Sequence, residues 1–315
     1  MSRDESYHRL SSFFFHKGEL MVKKIRMIKQ PSVYSLTTSD EQKYIVKHHL
    51  QRQKVKRQWE FFEAMEDRTI INTFIHFPNG KAYLDSDDGV WTIAPYLEGK
   101  KLHYMNEEDR WKALECITQF HQNAVHIYPR SSRTNTEYIK RWYQRILLFQ
   151  ETKAIFDHYH FTSLFQDIIQ TAKYYLSKCM QIPIRQYEEE AIMNGKWIHG
   201  DVAAHNFLKV DDTVYLIDFD LVRNTAPIYD KIQLGQRFLP YIGWNLNKLL
   251  SYPMVNKYDL KAWLYAICIP VDIMREWLRF LRQGNHSNSY NELIHIQNKW
   301  EIRQYFFNDM KIMLE

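Results

Sequence analysis

The densest concentration of reactive side chains in this sequence lies in one stretch, WIHGDVAAHNFLKVDDTVYLIDFD, running from Trp197 to Asp220. It sets His199, Asp201 and Asn206 in the pattern H-x-D-x-x-x-x-N and returns a fourth polar group, Asp218, after a short hairpin. A carboxylate that takes the proton of an attacking hydroxyl, with an amide and a second carboxylate to hold Mg²⁺ on ATP phosphates, is what phosphoryl transfer requires. The chemistry to look for is therefore phosphate transfer.

Such groups work only if flanking elements aim them. Asp201 and Asn206 are five residues apart, too far for one face of a single helical turn, so a compact loop must turn both inward. Lys196-Trp197-Ile198 reads as a strand leading in, Phe207–Val210 as a strand leading out, and Val214–Ile217 as the returning strand, with Asp211-Asp212-Thr213 as the turn. The hairpin brings Asp218 back beside Asn206, and a bound cation would relieve the gathered negative charge. His-Gly-Asp alone is an ordinary turn, and Asp-Phe-Asp alone is an ordinary strand end. Both in order, joined by a clean hairpin, point to function.

The bulk properties narrow the field. At 315 residues, with 45% hydrophobic and 15% aromatic residues, the chain is a folded protein of one or two domains. A net charge of +5 is modest, and its densest basic cluster, Gln51–Arg57, reads as a solvated helix face, so no nucleic-acid partner is expected. Cys116, Cys179 and Cys268 imply neither a disulfide framework nor a zinc site. Phe13-Phe14-Phe15 is too short for a signal segment, and Ala262–Val271 is too short to span a bilayer. A cytoplasmic protein without a membrane partner is the expectation.

Along the chain, the first hundred residues read as a small antiparallel sheet interrupted by one helix. Strands are expected at Leu20–Lys29, Val33–Thr38, Lys43–Lys47, Lys81–Asp85 and Val90–Leu97, with the helix over Gln51–Glu66 carrying Val55, Trp59 and Phe62 on its apolar face. After Glu98-Gly99 the pattern becomes helical. Asn106 is expected to cap a helix that lines Trp111, Leu114, Ile117, Thr118 and His121 on one face. Further helices are expected over Thr136–Glu151, Phe161–Met180, Tyr229–Leu250, Lys257–Ile269 and Asp272–Arg282, and one ends near Met313. The fold class is α+β with two lobes: residues 1–97 as a nucleotide-binding lobe and residues 98–315 as a helical lobe with the catalytic loop and acceptor site.

These residues resemble the aminoglycoside phosphotransferase and choline kinase superfamily of protein-kinase-like folds, and within it the CotS-type spore-coat-associated kinases. The pattern covers nearly the whole chain: Tyr44-Ile45-Val46-Lys47, the hinge Trp91–Gly99, Thr118-Gln119-Phe120-His121, His199-Gly200-Asp201, Ile217-Asp218-Phe219-Asp220 and Tyr229-Asp230 before a Trp244-bearing helical region. By position, the resemblance implies that Asp201 is the catalytic base and that Asn206 and Asp218 are metal ligands. His199 would hold the loop and Asp220 would be a second carboxylate. Lys47 would contact the α- and β-phosphates with Glu60 as its helix partner, Glu63 being the second choice. The Pro95 carbonyl and the Leu97 amide would meet the purine. ATP and Mg²⁺ are the implied cofactors, and spore-coat proteins the implied partners.

One segment departs from the kinase pattern. The loop between the first two strands, Lys29-Gln30-Pro31-Ser32-Val33, has no glycine to let backbone amides approach phosphates, and Pro31 has no donor. Two readings therefore stand: an active kinase for a small hydroxyl compound, and a kinase-like structural protein of the spore coat. The absence of an Ala-Pro-Glu segment after Asp218 argues against a protein kinase. From Val222 onward, 12 Lys/Arg face 8 Asp/Glu. That favours a neutral or anionic acceptor, sugar- or polyol-like, over a polycationic aminoglycoside. Trp244, Tyr241 and Trp263 could stack on a sugar, although aromatics on helices more often belong to the core.

Overall fold

A computed structural model of the chain describes residues 3–29, 32–128, 138–182, 184–284 and 288–314. Its first element is a helix, α1 (Arg3–Gly18), where sequence reasoning expected none. Three adjacent phenylalanines carry no helical period, so their role is visible only in packing. Phe14 is fully buried edge-on against Trp91, with ring centroids 5.3 Å apart, while Phe15 next to it is exposed.

Strands β1 (Val22–Lys29), β2 (Val33–Thr38) and β3 (Lys43–His49) follow, then α2 (Arg52–Ala64), β4 (Leu84–Ser86) and β5 (Gly89–Pro95). They form an antiparallel sheet in the order β1-β2-β3-β5-β4. Alternation along β3 sends Val46 into the core with Leu36, Ile93, Trp91 and Phe14, and turns Lys47 to the opposite face. Helix α2 lays Val55 and Trp59 on Val90. Its Phe61 and Phe62 reach the larger core instead, where their rings meet that of Phe219 at 6.2 and 5.2 Å. One helix thus joins the sheet to the catalytic region.

The larger lobe begins with β6 (Lys100–Lys101) and the helices α3 (Glu107–Asn123), α4 (Tyr138–Gln150), α5 (Lys153–His158), α6 (Thr162–Met180) and α7 (Ile184–Met193). Then come β7 (Trp197–Ile198), β8 (Phe207–Val210), β9 (Thr213–Leu216) and β10 (Arg223–Asn224). The chain closes with α8 (Ile228–Phe238), α9 (Leu246–Leu250), α10 (Leu260–Ile267), α11 (Val271–Arg282), α12 (Ser289–Ile302) and α13 (Gln304–Leu314). The result is an α+β chain with an antiparallel sheet lobe and a large helical lobe.

Three local expectations need correction. The helix expected over Tyr229–Leu250 breaks after Phe238 into a 3₁₀ turn, Leu239–Ile242. Pro240 lacks an N–H for the ladder, and Gly243 takes a left-handed φ of 67°. Asn106 stands at the N-cap of α3, but its side chain accepts no capping bond; the Asp109 carboxylate takes the His103 amide at 2.8 Å instead. Helices α5 and α7 were not anticipated. The three cysteines are free and buried, and among the described residues no helix is long and apolar enough to cross a membrane.

Candidate active site

The loop from His199 to Asn206 is fastened mainly by side chains from other elements. Strand β7 pairs with β10, and the chain then turns at Gly200, where φ is +82° and an added Cβ would lie 2.4 Å from the Leu221 carbonyl oxygen. Only glycine fits there. Beneath the turn, the fully buried Asp230 of α8 accepts from the amides of His199 (2.8 Å) and Gly200 (2.9 Å), and from His121 Nε2 (3.0 Å). Gln233 donates to the Gly200 carbonyl at 3.1 Å, and the Tyr104 hydroxyl to that of Val202 at 2.7 Å.

His199 is buried between the loop and the hairpin. Its Nε2 donates to the Ile217 carbonyl at 3.0 Å, and its Nδ1 accepts from the Asp201 amide at 3.3 Å. Burial pushes its pKa below the ordinary histidine value, against the pull of Asp230. A neutral ring with one donor and one acceptor suits this structural place.

Asp201 is held by both of its oxygens. Arg237 Nη2 of α8 lies 2.6 Å from Oδ1, and Asn206 Nδ2 lies 3.2 Å from Oδ2 and 2.9 Å from the Asp201 carbonyl. These bonds leave the Asn206 side-chain oxygen with no protein partner among the described residues. The Asn206 carbonyl accepts from the Ile217 amide at 3.0 Å, which ties the loop to the start of the Asp218 segment. Asp218 has a left-handed φ of 65°, uncommon for a residue with a β-carbon.

Across the cleft, Lys47 Nζ stands 2.7 Å from Asp218 and 2.6 Å from Asp220. Burial raises the Asp218 pKa, but the charge and hydrogen bond of Lys47, with His199 and Lys29, together outweigh it and hold the carboxyl below its usual range. Burial likewise lowers the Lys47 pKa, and the two carboxylates reverse that and raise it. His49, behind Asp220 at 3.8 Å and bonded to Thr92 at 2.9 Å, is pushed down to about 4 by burial and by Lys47, so it is neutral at pH 7.

The sequence-derived residues fall into two linked groups, Asp201 with Asn206 and Lys47 with Asp218 and Asp220, and His199 braces both. Among the described residues the ion pairs of Lys47 are with Asp218 and Asp220; Glu60 and Glu63, which the resemblance put forward, are not among those pairs. Phe61 and Phe62 hold the face of α2 that meets Phe219. The Pro95 carbonyl already accepts from Asn72 Nδ2 at 3.0 Å, while the Leu97 amide has no partner among the described residues. Gln30 and Pro31 of the glycine-free loop lie outside the described residues.

Among the described residues no group of three or more His, Cys, Asp or Glu is gathered as a metal cage. The free oxygen of Asn206 and the carboxylate of Asp218 are the hard oxygen donors that could hold a metal ion. Magnesium suits one or two such ligands plus phosphate oxygens and water. Sequence reasoning missed Arg237, Asn72 and Tyr104. Arg237 left one trace, a position seven residues after Asp230 and so on the same helix face.

In front of Asp201 lies a cavity of about 460 Å³ whose wall includes Gly200, His205, Tyr138, Trp142 and Tyr229. That volume suits a small organic molecule. Trp244 and Trp263 are buried in the core and Tyr241 is exposed; none of the three lines the cavity.

No protein-family model matches the sequence, and no curated protein is similar to it in sequence. Solved structures do match. An aminoglycoside phosphotransferase from Alicyclobacillus acidocaldarius is 16% identical, with a TM-score of 0.71 over 95% of this chain and 94% of that one. Spectinomycin phosphotransferase APH(9)-Ia, in complex with ADP and spectinomycin, is 12% identical, with a TM-score of 0.60 over 96% and 93%. The choline kinase LicA from Streptococcus pneumoniae is 13% identical, with a TM-score of 0.56 over 94% and 99%. The chain therefore has the kinase-like fold of these small-molecule phosphotransferases.

Proposed function

We propose that this protein is an ATP- and Mg²⁺-dependent phosphotransferase that moves the γ-phosphoryl group to a hydroxyl of a small, sugar- or polyol-like molecule. The observation that carries this reading is the pairing of Asp201 with Asn206 at one end of a hairpin whose other end presents Asp218 to Lys47. Residues 1–97 would hold the nucleotide, with the Leu97 amide and the second lone pair of the Pro95 carbonyl at the purine. Residues 98–315 would hold the acceptor.

In the reaction, the acceptor oxygen forms a bond to the γ-phosphorus as the bond from that phosphorus to the β,γ-bridging oxygen breaks. ADP leaves with the bonding pair, and the hydroxyl proton passes to the Asp201 carboxylate. Arg237 and Asn206 fix the orientation of that carboxylate, and Lys47 neutralises phosphate charge. Asn206 and Asp218 would hold Mg²⁺, which when bound offsets negative charge on the transferring phosphate.

The resemblance to CotS-type kinases supports a place with spore-coat proteins after synthesis in the cytoplasm. The glycine-free Lys29–Val33 loop supports the second reading, a kinase-like structural protein. ADP release across a panel of hydroxyl compounds separates the two. Turnover should appear in the wild type and fall about 10²-fold or more in Asp201→Asn. Turnover equal in both proteins would remove Asp201 from the chemistry, and no stabilisation by any Mg-nucleotide would favour the structural reading.

A further inference from the structure

The wall of the cavity in front of Asp201 contains five arginines and three acids, and every acid already has a cation of its own. Asp201 is bound by Arg237 at 2.6 Å, and Glu276 by Lys299 at 2.7 Å. Asp272 is gripped through both oxygens by the buried Arg303, at 3.0 and 2.7 Å. Arg141, Arg145, Arg275 and Arg279 remain, and none of them has a carboxylate within ion-pair distance among the described residues.

Their placement is systematic. Arg141 and Arg145 stand one turn apart on α4, Arg275 and Arg279 one turn apart on α11, and the two helices pack side by side. Like charges at this spacing repel along each helix, so neither pair serves helix stability. Arg145 is half-buried, and burial together with Arg275, Arg141 and Arg282 pushes its pKa down to about 10. Arg275 and Arg279 are exposed and Arg141 and Arg145 half-buried; scattered singly over a surface they would need no explanation. Four converging on a concave space beside the proposed base do.

We propose that the acceptor is an anionic molecule whose phosphate or carboxylate group binds the arginines of α4 and α11, while a hydroxyl elsewhere on it faces Asp201. This rests on the reading of Asp201 as base. The anion takes no part in the transfer. Guanidinium groups pair with phosphate and carboxylate oxygens through two parallel N–H bonds, which fixes orientation as well as charge. The same field repels polycationic amines, although solved structures of this fold include an aminoglycoside phosphotransferase and a kanamycin complex.

The test uses the full chain saturated with Mg-ADP, so that anions cannot take the α- and β-phosphate positions of the nucleotide site, and the arginine variants separate binding at the wall from binding at the γ-phosphate position. Inorganic phosphate, citrate and kanamycin are titrated by calorimetry into the wild type, Arg279→Gln and Arg145→Gln/Arg279→Gln. One of the two anions should bind saturably to the wild type, about tenfold more weakly to the double variant, and more weakly as salt rises. Tighter binding of phosphate would point to a phosphate ester, and tighter binding of citrate to a carboxylate. Arg279 is exposed, so its single variant should fold and show part of the loss. Binding of neither anion, equal binding by all three proteins, or kanamycin binding as tightly as the anions would overturn the proposal. Mg-ADP affinity, measured first, reports separately on the phosphotransferase reading.

Discussion

Asp230 and Arg237 stand seven residues, about two turns, apart on α8 and grip one loop at two levels. Asp230 takes the backbone amides of His199 and Gly200, and Arg237 takes the side chain of Asp201 two residues later. The helix thereby sets both the path of the loop and the direction of its carboxylate. The two roles separate on mutation. Arg237→Gln should keep its melting temperature within a few degrees and bind Mg-ATP normally, yet turn over at least about tenfold more slowly, because a misdirected base loses proximity. Asp230→Ala leaves three buried donors unpaired at about 1–3 kcal/mol each, so its melting temperature should fall by many degrees. Thermal melts beside steady-state ADP release distinguish the two.

Gly200→Ala is a purely steric test. The added methyl would meet the Leu221 carbonyl at 2.4 Å, at a φ of +82°. A left-handed conformation costs an L-residue about 1–2 kcal/mol before the clash is counted. Lower stability and a sharp drop in turnover are expected, since the loop must shift away from Leu221. Wild-type turnover in this variant would show that the loop geometry is not needed.

Lys47 neutralises two carboxylates at once, so Lys47→Met should act in opposite directions on two ligands. ATP affinity should fall at least about tenfold, as expected for loss of one charge-assisted contact in a cleft. Divalent-ion affinity without nucleotide should rise, because Asp218 and Asp220 lose their resident cation. Calorimetry with Mn²⁺ alone and with Mg-ATP checks both signs.

Asp272 gives the cavity wall a pH signature through its pairing with Arg303. Burial would raise its carboxyl pKa, but the Arg303 fork outweighs burial and lowers it to about 2, below the unfolded value of about 3.9. A depressed folded pKa adds stability above the unfolded value, and that stability is lost as pH falls toward the folded one. Asp272→Asn should therefore be less stable than the wild type at pH 7 by about 3 kcal/mol, the scale for stranding a buried partner charge. Denaturation curves should show the gap unchanged down to about pH 5 and closing between about pH 4 and pH 2. A gap that widens on acidification would contradict the pairing.

Much of the site could be read from the sequence because its polar groups lie within one contiguous stretch, and a hairpin of known turn chemistry dictates which ends meet. The same local logic placed β2 and β3 and gave α2 its apolar face. It failed where tertiary contacts decide. Helix α1 has no periodic apolar stripe and forms around Phe14 packed on Trp91. The break after α8 was signalled by Pro240 and Gly243, yet the apolar spacing around them favoured one long helix. The pairing of Asp220 with Lys47, at 2.6 Å, was not foreseen either. Arg237 and Asn72 do their work through contacts spanning 36 and 23 residues, and no local pattern announces such contacts.

The central claim is that Asn206 and Asp218 hold a divalent ion on the phosphates of a nucleotide beside Asp201. The most direct measurement is the affinity for a non-hydrolysable ATP analogue with and without Mg²⁺, by calorimetry, in the wild type and in Asp218→Asn. Tighter binding with Mg²⁺ is predicted for the wild type, by tenfold or more (about 1.4 kcal/mol), with most of that gain lost in the variant. A Mg²⁺ effect of the same size in both proteins, or no nucleotide binding by the wild type, would contradict the account.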